Sequence, residues 1–416
     1  MKKELEGLDV KVKSVVIEDH LDGREAELIS ALQFGPRLAV VSDPDTFEAL
    51  GKRVEKNLAS QFQVQRVVLG RHPHADEETL QKLMQAIAPQ TDAIIAVGSG
   101  TINDLCKMAA YRNKCPQAVF GTAPSMNGYT SVNAAITVGG LKKSLHAAAP
   151  LGVFLDLSVL AAAPKRLIRS GLGDSLCRTT AQADWLLAHL LLDQPYQERP
   201  FELLVNDEEA LFSQSRALLS GDLGAMRHLA RTLVLSGFGM TICGGSYPAS
   251  QGEHLISHYV DMMGSKDIPE TFHGEQIGVT TLAMARLQEK ILRFEKAPVL
   301  RPTLIGRDEV LQHFGPQLGE ACWKEFEPKR LDQTKADALN ERLEKNWDTI
   351  RSRIERVTLS SEHLKSVLVA AEAPVAAADL GWPQPLFEQA FQHAREIRNR
   401  YTFLDFAADI DTKVSH

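Results

Sequence analysis

Histidines in the stretch 252–278 have the residue type and the spacing of metal ligands. His254 and His258 lie four residues apart, so they would share one face of a helix. His273 follows after a short polar segment. Neutral imidazoles are common ligands for divalent metals, and two or three on neighbouring helices can hold one ion. Thirteen histidines occur in the 416 residues, so a hydrogen-bonded pair on a helix face is the alternative.

A glycine turn in the first third of the chain could bind a pyrophosphate. The segment AIIAVGSGTINDLCKMAA has the pattern of a strand, a turn and a helix, with Gly98 and Gly100 in the turn. Backbone amides at these glycines, and the N-terminus of a helix that begins near Thr101, would face an anion. The turn does not match the GxGxxG dinucleotide fingerprint, so a glycine turn without a ligand stays open.

Polar side chains also follow two other predicted strands. Asp43 could hydrogen-bond a cofactor ribose and repel an extra 2′-phosphate, which would favour NAD over NADP. The sequence DPDT is equally suited to cap a helix. Further on, Thr122, Ser125 and Ser131 could cover phosphates, or could belong to a simple polar loop.

The elements that would position these residues change in kind along the chain. Short apolar runs predict strands at VKSVVIE, RLAVVSD, RVVLG, AIIAVGS, AVFGT and GVFLDLS, with helical patterns between the earlier ones. This alternation predicts βαβ units and a parallel sheet. From about Pro164 helical periodicity replaces the strand-like runs, apart from an irregular stretch at 295–316. We therefore predict an α/β parallel-sheet domain at 1–160 and an all-α helical domain at 161–416.

Composition and charge exclude several classes of protein. A net charge of −7 and a pI near 6.0 argue against binding to nucleic acid. No apolar run reaches 18 residues, so we expect no membrane span, and the first residues lack the apolar core of a signal peptide. Five scattered cysteines without a CxxC pair predict free thiols in a reducing compartment. We expect a cytoplasmic protein.

Six segments, in this order, resemble one family. Together they resemble the sn-glycerol-1-phosphate dehydrogenases, in particular their bacterial branch. The segments are VGSGTINDLCK, TAPSMNGYTS, SGLGDSLCRTTAQADW, GGSYPASQGEHLISH, FHGEQIGV and IRNRYTFLDF. That family belongs to the group that also contains glycerol dehydrogenase, iron-type alcohol dehydrogenases and 3-dehydroquinate synthase. The similarity extends from about residue 37 to residue 407.

The resemblance implies a Rossmann-like first domain, an all-helical second domain and one divalent metal ion. The family's ligands, one aspartate and two histidines, match Asp174 of SGLGD, His254 of GEHLISH and His273 of HGEQ. Zinc, nickel and iron all suit such a ligand set. His258 could relay a proton or bind the substrate, but it could also be a buried, hydrogen-bonded histidine or a fourth ligand.

The resemblance also implies roles in the first domain. Lys107, a candidate catalytic residue, matches a position that often faces the cleft in this group, although it could instead be solvated. Asn127 stands where family members often have an acid, a departure that affects substrate binding or proton relay. Together with Asp174 and His258, Asn127 is a candidate substrate-binding residue. The positions that match cofactor-binding residues are Asp43, Gly98, Ser99, Gly100, Thr101, Asp104, Thr122, Ser125 and Ser131.

The implied reaction is the reversible reduction of dihydroxyacetone phosphate to sn-glycerol 1-phosphate, with NAD(H) preferred over NADP(H). We expect a small phosphorylated ketone or polyol as substrate and a homodimer or larger homo-oligomer. Alternatives are a dehydrogenase of an unphosphorylated polyol such as glycerol, a 3-dehydroquinate-synthase-like lyase, and a catalytically silent NAD-binding protein. A phosphorylated substrate needs a cationic pocket, for which Arg178 and Lys142 are candidates.

Overall fold

The computed structural model describes residues 11–139, 141–265 and 267–411. Contacts between Cα atoms divide the chain into two compact units, a sheet unit and a helical unit. The sheet unit extends to Ser175 and also contains Glu202–Gly245 and Ala370–Glu372. The helical unit consists of Leu176–Phe201, Ser246–Val369 and the chain from Ala373 onward. The division expected at residue 160 rests on the loss of strand-like runs, and it stays a prediction.

Strands and helices alternate along the first part of the described chain. The strands, β1 to β8 in chain order, are Ser14–Glu18, Arg37–Ser42, Gln63–Val68, Ala93–Gly98, Gln117–Gly121, Asn133–Val138, Leu141–His146 and Gly152–Asp156. The α-helices, α1 to α19, are Glu25–Ser30, Pro44–Thr46, Lys52–Leu58, Glu77–Ala86, Gly100–Asn113, Leu157–Ala161, Lys165–Leu176, Arg178–Leu192, Arg199–Glu202, Val205–Ser213, Leu223–Ile242, Gly252–Met263, His273–Leu292, Arg307–Phe314, Pro316–Phe326, Gln333–Glu355, Ser361–Ala370, Gln384–His393 and Phe403–Asp409.

The sheet unit is built on six parallel strands in the order β1-β8-β5-β4-β2-β3. The predicted α/β fold with a parallel sheet is therefore confirmed. From β2 the chain passes to β3 on one side, and it then returns to place β4 on the other side. Ligands of open α/β sheets bind beyond the carboxyl ends of strands at such a switch point. The residues that follow β2 and β4 are thus well placed for a ligand.

A two-stranded antiparallel hairpin, β6–β7, was not predicted. It pairs Val138 with Leu141 next to the turn, where Gly139 has a φ of +59°. The left-handed conformation of this glycine suits a tight hairpin connection. The signal was present in the sequence as alternating residues on either side of a Gly-Gly pair, but the segment also resembles a polar loop.

Helices α8 and α12–α16, with α18 and α19, supply much of the helical unit's core. Aromatic and aliphatic side chains such as Tyr259, Trp347 and Phe406 fill it. The predicted helical character of the second part of the chain is confirmed. The prediction that 295–316 is irregular is partly wrong, because α14 begins at Arg307, after Gly306 at its N-cap.

The helical pattern predicted for 384–406 is interrupted in the structure. Helix α18 passes into a short 3₁₀ turn at Ala394–Ile397, and Arg398 is extended, with φ −150° and ψ 151°. A new helix, α19, then starts where the side chain of Thr402 accepts a hydrogen bond from the Leu404 amide. Local capping outweighs periodicity here.

None of the helices in the described part of the chain is long and apolar enough to span a membrane. All five cysteines are free thiols, as predicted.

Candidate functional site

The predicted histidines of the helical unit come together where α12 packs against α13. His254 lies in the first turn of α12, and His273 is the first residue of α13. Their Nε2 atoms are 3.3 Å apart. The ring of His258, one turn further along α12, has its centroid 5.9 Å from that of His254 and 6.1 Å from that of His273. Three imidazoles therefore share one small volume.

Glu253 determines which nitrogen of His254 carries a proton. Its Oε1 lies 2.9 Å from Nδ1 of His254, and both side chains are buried. Burial alone would raise the pKa of Glu253. The hydrogen bond and charge of His254, together with the Gln251 amide, outweigh this effect, so the pKa of Glu253 is lowered. The ionised carboxylate keeps Nδ1 protonated, which leaves the lone pair of a neutral imidazole on Nε2. That lone pair faces His273, as a metal ligand requires.

Other polar residues of the two histidine motifs hold α12 and α13 in place. Ser257 Oγ donates a hydrogen bond to Gln276 Oε1 at 2.5 Å, which joins the two helices. Glu275 Oε2 accepts the backbone N–H of Phe272 at 2.9 Å, which caps the start of α13. These polar residues of the two motifs thus serve to position the histidines.

Asp184, in α8, is a buried residue that the sequence reasoning missed. Its Oδ2 accepts the N–H of Gly252 at 2.9 Å, and its Oδ1 accepts the N–H of Phe403 at 2.9 Å. Burial and the negative charge of Glu253 raise the pKa of Asp184 to about 8. The side chain of Asp184 thus anchors the starts of both α12 and α19. The available signal was an aspartate within the apolar run DWLLAHLLL, since a buried carboxylate needs partners.

In the sheet unit, Asp174 is fixed by the loop that follows β5. Asp174 lies near the end of α7, is 1% exposed, and accepts the backbone N–H of Asn127 through Oδ2 at 2.9 Å. Asn127 Nδ2 in turn donates to Ser236 Oγ at 3.2 Å. A Cβ on Gly171, one turn before Asp174, would lie only 1.6 Å from the carbonyl oxygen of Pro124. The SGLGD motif therefore lets α7 lie directly against this loop.

The glycine turn lies at the switch point of the sheet, between β4 and α5. Gly98 ends β4, Ser99 precedes the helix, and Gly100 and Thr101 form its first turn. A Cβ on Gly98 would lie 2.5 Å from Cβ of Ile102, so this glycine is required for the packing of α5 on β4. The first N–H groups of a 14-residue helix have no partners within the helix, which is the arrangement that binds phosphates.

Asp43, beyond β2, caps the helix that follows it. Its Oδ1 accepts the N–H groups of Asp45 at 2.9 Å and Thr46 at 2.8 Å. The capping alternative is therefore observed. Both hydrogen bonds are accepted by Oδ1, and no residue in the described part of the chain donates a hydrogen bond to Oδ2. The role of Asp43 in binding ribose stays a prediction.

The predicted hydroxyl residues beyond β5 are buried within the sheet unit. Thr122 donates its N–H to the carbonyl oxygen of Gly98 at 3.1 Å, which ties this loop to the end of β4. Ser131 Oγ accepts the N–H of Asn133 at 3.0 Å. Ser125 is 8% exposed. These contacts favour an ordered polar loop, and phosphate contacts from its hydroxyl groups stay a prediction.

Lys107 is completely buried, so the solvated alternative is wrong. Its Nζ donates to the carbonyl oxygens of Gly128 at 2.9 Å and Asn133 at 2.8 Å, and lies 3.5 Å from Asp104 Oδ1. Burial lowers the pKa of Lys107, and Asp104 partly offsets this. Asp104 Oδ2 also accepts the N–H of Ala135 at 3.0 Å. Both residues thus join α5 to the loop and to β6, while their catalytic and cofactor roles stay predictions.

Arg178, one of the two cations suggested for a phosphate, is engaged in hydrogen bonds within the helical unit. Arg178 Nη1 donates to Gln182 Oε1 at 2.8 Å and to the carbonyl oxygen of Val357 at 3.3 Å, so the guanidinium already has acceptors. The side chain of Lys142 lies outside the described residues.

Comparisons with known proteins agree with this architecture. Residues 16–164 match the family described as iron-containing alcohol dehydrogenase. The chain is 30% identical to the glycerol-1-phosphate dehydrogenase [NAD(P)+] of Geobacillus stearothermophilus, over 95% of this chain and 93% of that protein. It is 32% identical to the enzyme of the same name from Pyrococcus furiosus, over 66% of this chain and 78% of that one.

Solved structures of low sequence identity share the fold. A probable glycerol dehydrogenase from Sinorhizobium meliloti superposes with a TM-score of 0.62 at 15% identity, covering 97% of this chain and 93% of that one. The NADH-dependent butanol dehydrogenase A of Thermotoga maritima superposes with a TM-score of 0.60 at 15% identity, covering 94% and 90%. At this level of identity the likeness concerns the fold alone.

Proposed function

Since the chain belongs to the glycerol-1-phosphate dehydrogenase family, we propose that this NAD(P)-dependent oxidoreductase reduces dihydroxyacetone phosphate to sn-glycerol 1-phosphate. The reaction is reversible, uses NADH in preference to NADPH, and needs one divalent metal ion. The observation that carries the proposal is the pair of facing Nε2 atoms of His254 and His273, with Glu253 on the far nitrogen of His254.

The proposed metal ligands are Asp174, His254 and His273. One carboxylate oxygen and two imidazole nitrogens suit zinc, nickel or iron. The hydrogen bond from His254 Nδ1 to Glu253 is the contact that metal-binding histidines usually make with a neighbouring acid. The residues therefore fit a metal. When bound, the ion supplies a Lewis acid for the substrate's carbonyl group, and the nicotinamide supplies the hydride.

The protein's own groups are proposed to bind the ketone and to provide the proton. Reduction of a carbonyl group needs a hydride at carbon and a proton at oxygen. His258, within the histidine cluster, is the proposed proton donor, through one of its ring nitrogens. Asn127 and Asp174 are the proposed contacts to substrate hydroxyl groups. Because Asn127 is uncharged, it orients the substrate and takes no part in proton transfer.

The nucleotide is proposed to bind at the switch point of the sheet. The turn formed by Gly98, Ser99 and Gly100 would hold the pyrophosphate at the start of α5. Asp43 Oδ2 would accept a ribose hydroxyl, and its charge would disfavour a 2′-phosphate at that position. The preference for NADH depends on this carboxylate. Assembly into a homodimer or larger, and a cytoplasmic location, also remain proposals.

The test is NADH oxidation by zinc-, nickel- or iron-reconstituted protein with dihydroxyacetone phosphate, beside dihydroxyacetone and glyceraldehyde 3-phosphate. We expect turnover with dihydroxyacetone phosphate alone and sn-glycerol 1-phosphate as the product by chiral analysis. His254→Ala should abolish turnover and lower the bound metal, measured by elemental analysis. His20→Ala, which changes an exposed histidine of the sheet unit, is the control.

Two other results would contradict the proposal in different ways. Efficient reduction of dihydroxyacetone would indicate a polyol dehydrogenase. Tight binding of metal and NADH without turnover of any of the three ketones would reject the substrate and retain the cofactors.

A further inference from the structure

A pair of arginines lies beside the helix that carries His254. Arg398 and Arg400 follow the turn at Ala394–Ile397, and that turn packs against α12. Both arginines, the turn and the histidines belong to the helical unit. The extended backbone at Arg398 interrupts the predicted helix, so that neither arginine belongs to α18 or to α19.

The side chain of Arg400 makes hydrogen bonds to the segment that leads into α12. Its Nη2 donates to Ser246 Oγ at 2.9 Å, and its Nη1 donates to the carbonyl oxygen of Ser250. The guanidinium also lies over the ring of Tyr247, 4.9 Å from its centroid. Arg400 therefore fixes the chain up to four residues before His254, and its hydrogen-bonding groups are largely used.

Arg398 differs from Arg400 because its side chain makes no hydrogen bond or ion pair with any other residue of the described chain. It is nonetheless half-buried, and burial lowers its pKa, with Glu325 partly opposing the effect. Burial and the charge of Arg398 together lower the pKa of Arg400 to about 10, so the two charges act on each other. A guanidinium that is partly removed from water without an acceptor is costly, and an anion would offset that cost.

From this geometry we propose that Arg398 binds the phosphate group of the substrate. The inference rests on the proposed function, in that it assigns the phosphate of dihydroxyacetone phosphate to a residue that follows the turn packed against α12, the helix of the proposed ligand His254. A guanidinium presents a planar set of donors that matches two phosphate oxygens, and it stays charged throughout the useful pH range. Arg400 serves as a positioning residue, since its contacts hold the segment before α12.

The experiment compares Arg398→Gln with wild type, each loaded with metal. For dihydroxyacetone phosphate we expect the KM to rise on the order of 10- to 100-fold, as loss of a charge-assisted hydrogen bond predicts, with kcat changed less than about threefold. The amount of bound metal, measured by elemental analysis, should not change. Calorimetric titration of the metal- and NAD⁺-loaded protein with inorganic phosphate should show a similar loss of affinity. Arg307→Gln, an exposed arginine paired with Glu320, is the matched control.

The possible outcomes separate this inference from the proposed function. Unchanged KM and unchanged phosphate affinity in Arg398→Gln would overturn it, as would a fall in kcat as large as the rise in KM. If the Gln variant does not fold by circular dichroism, Arg398→Lys takes its place and should give an intermediate KM. If wild type turns over no phosphorylated ketone, the proposed function fails. The phosphate titration then still decides whether Arg398 binds this anion.

Discussion

At the scale of single residues, the partners of a titratable group decide what it can do. Glu253 accepts from Nδ1 of His254 and thereby directs the lone pair of Nε2 towards His273. The contacts of Lys107 favour a structural role, because its ammonium group is directed at two carbonyl oxygens and a carboxylate inside the sheet unit. The same residue types could serve catalysis or structure, and only the contacts distinguish the two.

We expect Lys107→Met to destabilise the protein by about 2–4 kcal/mol, because it leaves buried carbonyl groups and Asp104 without their cationic partner. Urea denaturation would measure the change. The folded variant should keep kcat within about tenfold of wild type. Lys82→Met is the control, since Lys82 is exposed and pairs with Glu78 on the surface. A variant of normal stability that has lost kcat would instead identify Lys107 as catalytic.

At the scale of elements, close packing of helices and loops determines which residues the motifs require. Helix α7 lies against the loop after β5, and Gly171 is the residue that permits the approach. Gly237 does the same for α11, where a Cβ would lie 2.2 Å from Thr130 Oγ1. The glycine of the SGLGD motif is thus explained by packing, and the aspartate that follows it is held in position as a result.

Gly171→Ala should destabilise the protein by about 3 kcal/mol or more, because backbone atoms of α7 or of the loop must move to admit the methyl group. The thermal midpoint and the urea midpoint would both fall. Gly70→Ala is the matched control, since a Cβ there meets nothing within 4 Å and should change the free energy of unfolding by less than about 1 kcal/mol. Equal effects of the two substitutions would refute the packing argument.

Most strands and helices could be predicted from the sequence, but few of the contacts between them could. The six strands of the parallel sheet were visible as apolar runs, and the spacing of His254 and His258 indicated one helix face. The contact of Asp184 with Phe403 joins residues 219 positions apart, and periodicity carries no information about such a pair. The break at Arg398 was also hidden, because the side chains on both sides of it keep a helical pattern.

At the scale of the whole molecule, stability depends on ionisable groups buried within the helical unit. Lys329 pairs with Asp405 at 2.8 Å, and Arg395 pairs with Asp409 at 3.0 Å, with all four side chains almost fully buried. Each cation thus has an anion, as buried charges require. All four tryptophans, Trp185, Trp323, Trp347 and Trp382, belong to the helical unit, so tryptophan fluorescence reports its unfolding.

His313 gives the helical unit a dependence on pH that this fluorescence can follow. Its ring stacks on that of His393, with the centroids 3.7 Å apart, and its Nε2 lies 2.7 Å from the hydroxyl oxygen of Tyr259. Burial, and then the nearby His393, lower the pKa of His313 from 6.5 to about 4. The folded state therefore favours the neutral ring. Its contribution to stability is complete above pH 6.5 and is lost as the pH falls towards 4, because the unfolded chain takes up the proton first.

Since His313 is partly exposed, we expect a loss of about 1–2 kcal/mol between pH 7 and pH 4.5, less than the full pKa difference would give. Urea unfolding followed by tryptophan fluorescence at the two pH values would measure it. His313→Gln removes the titrating ring. Between pH 7 and pH 4.5 the variant should therefore lose about 1–2 kcal/mol less free energy of unfolding than wild type loses. His20→Gln changes an exposed histidine and should follow wild type. If His313→Gln loses as much stability as wild type, the acid sensitivity of the helical unit arises from other groups, and the stacked ring is protonated without cost.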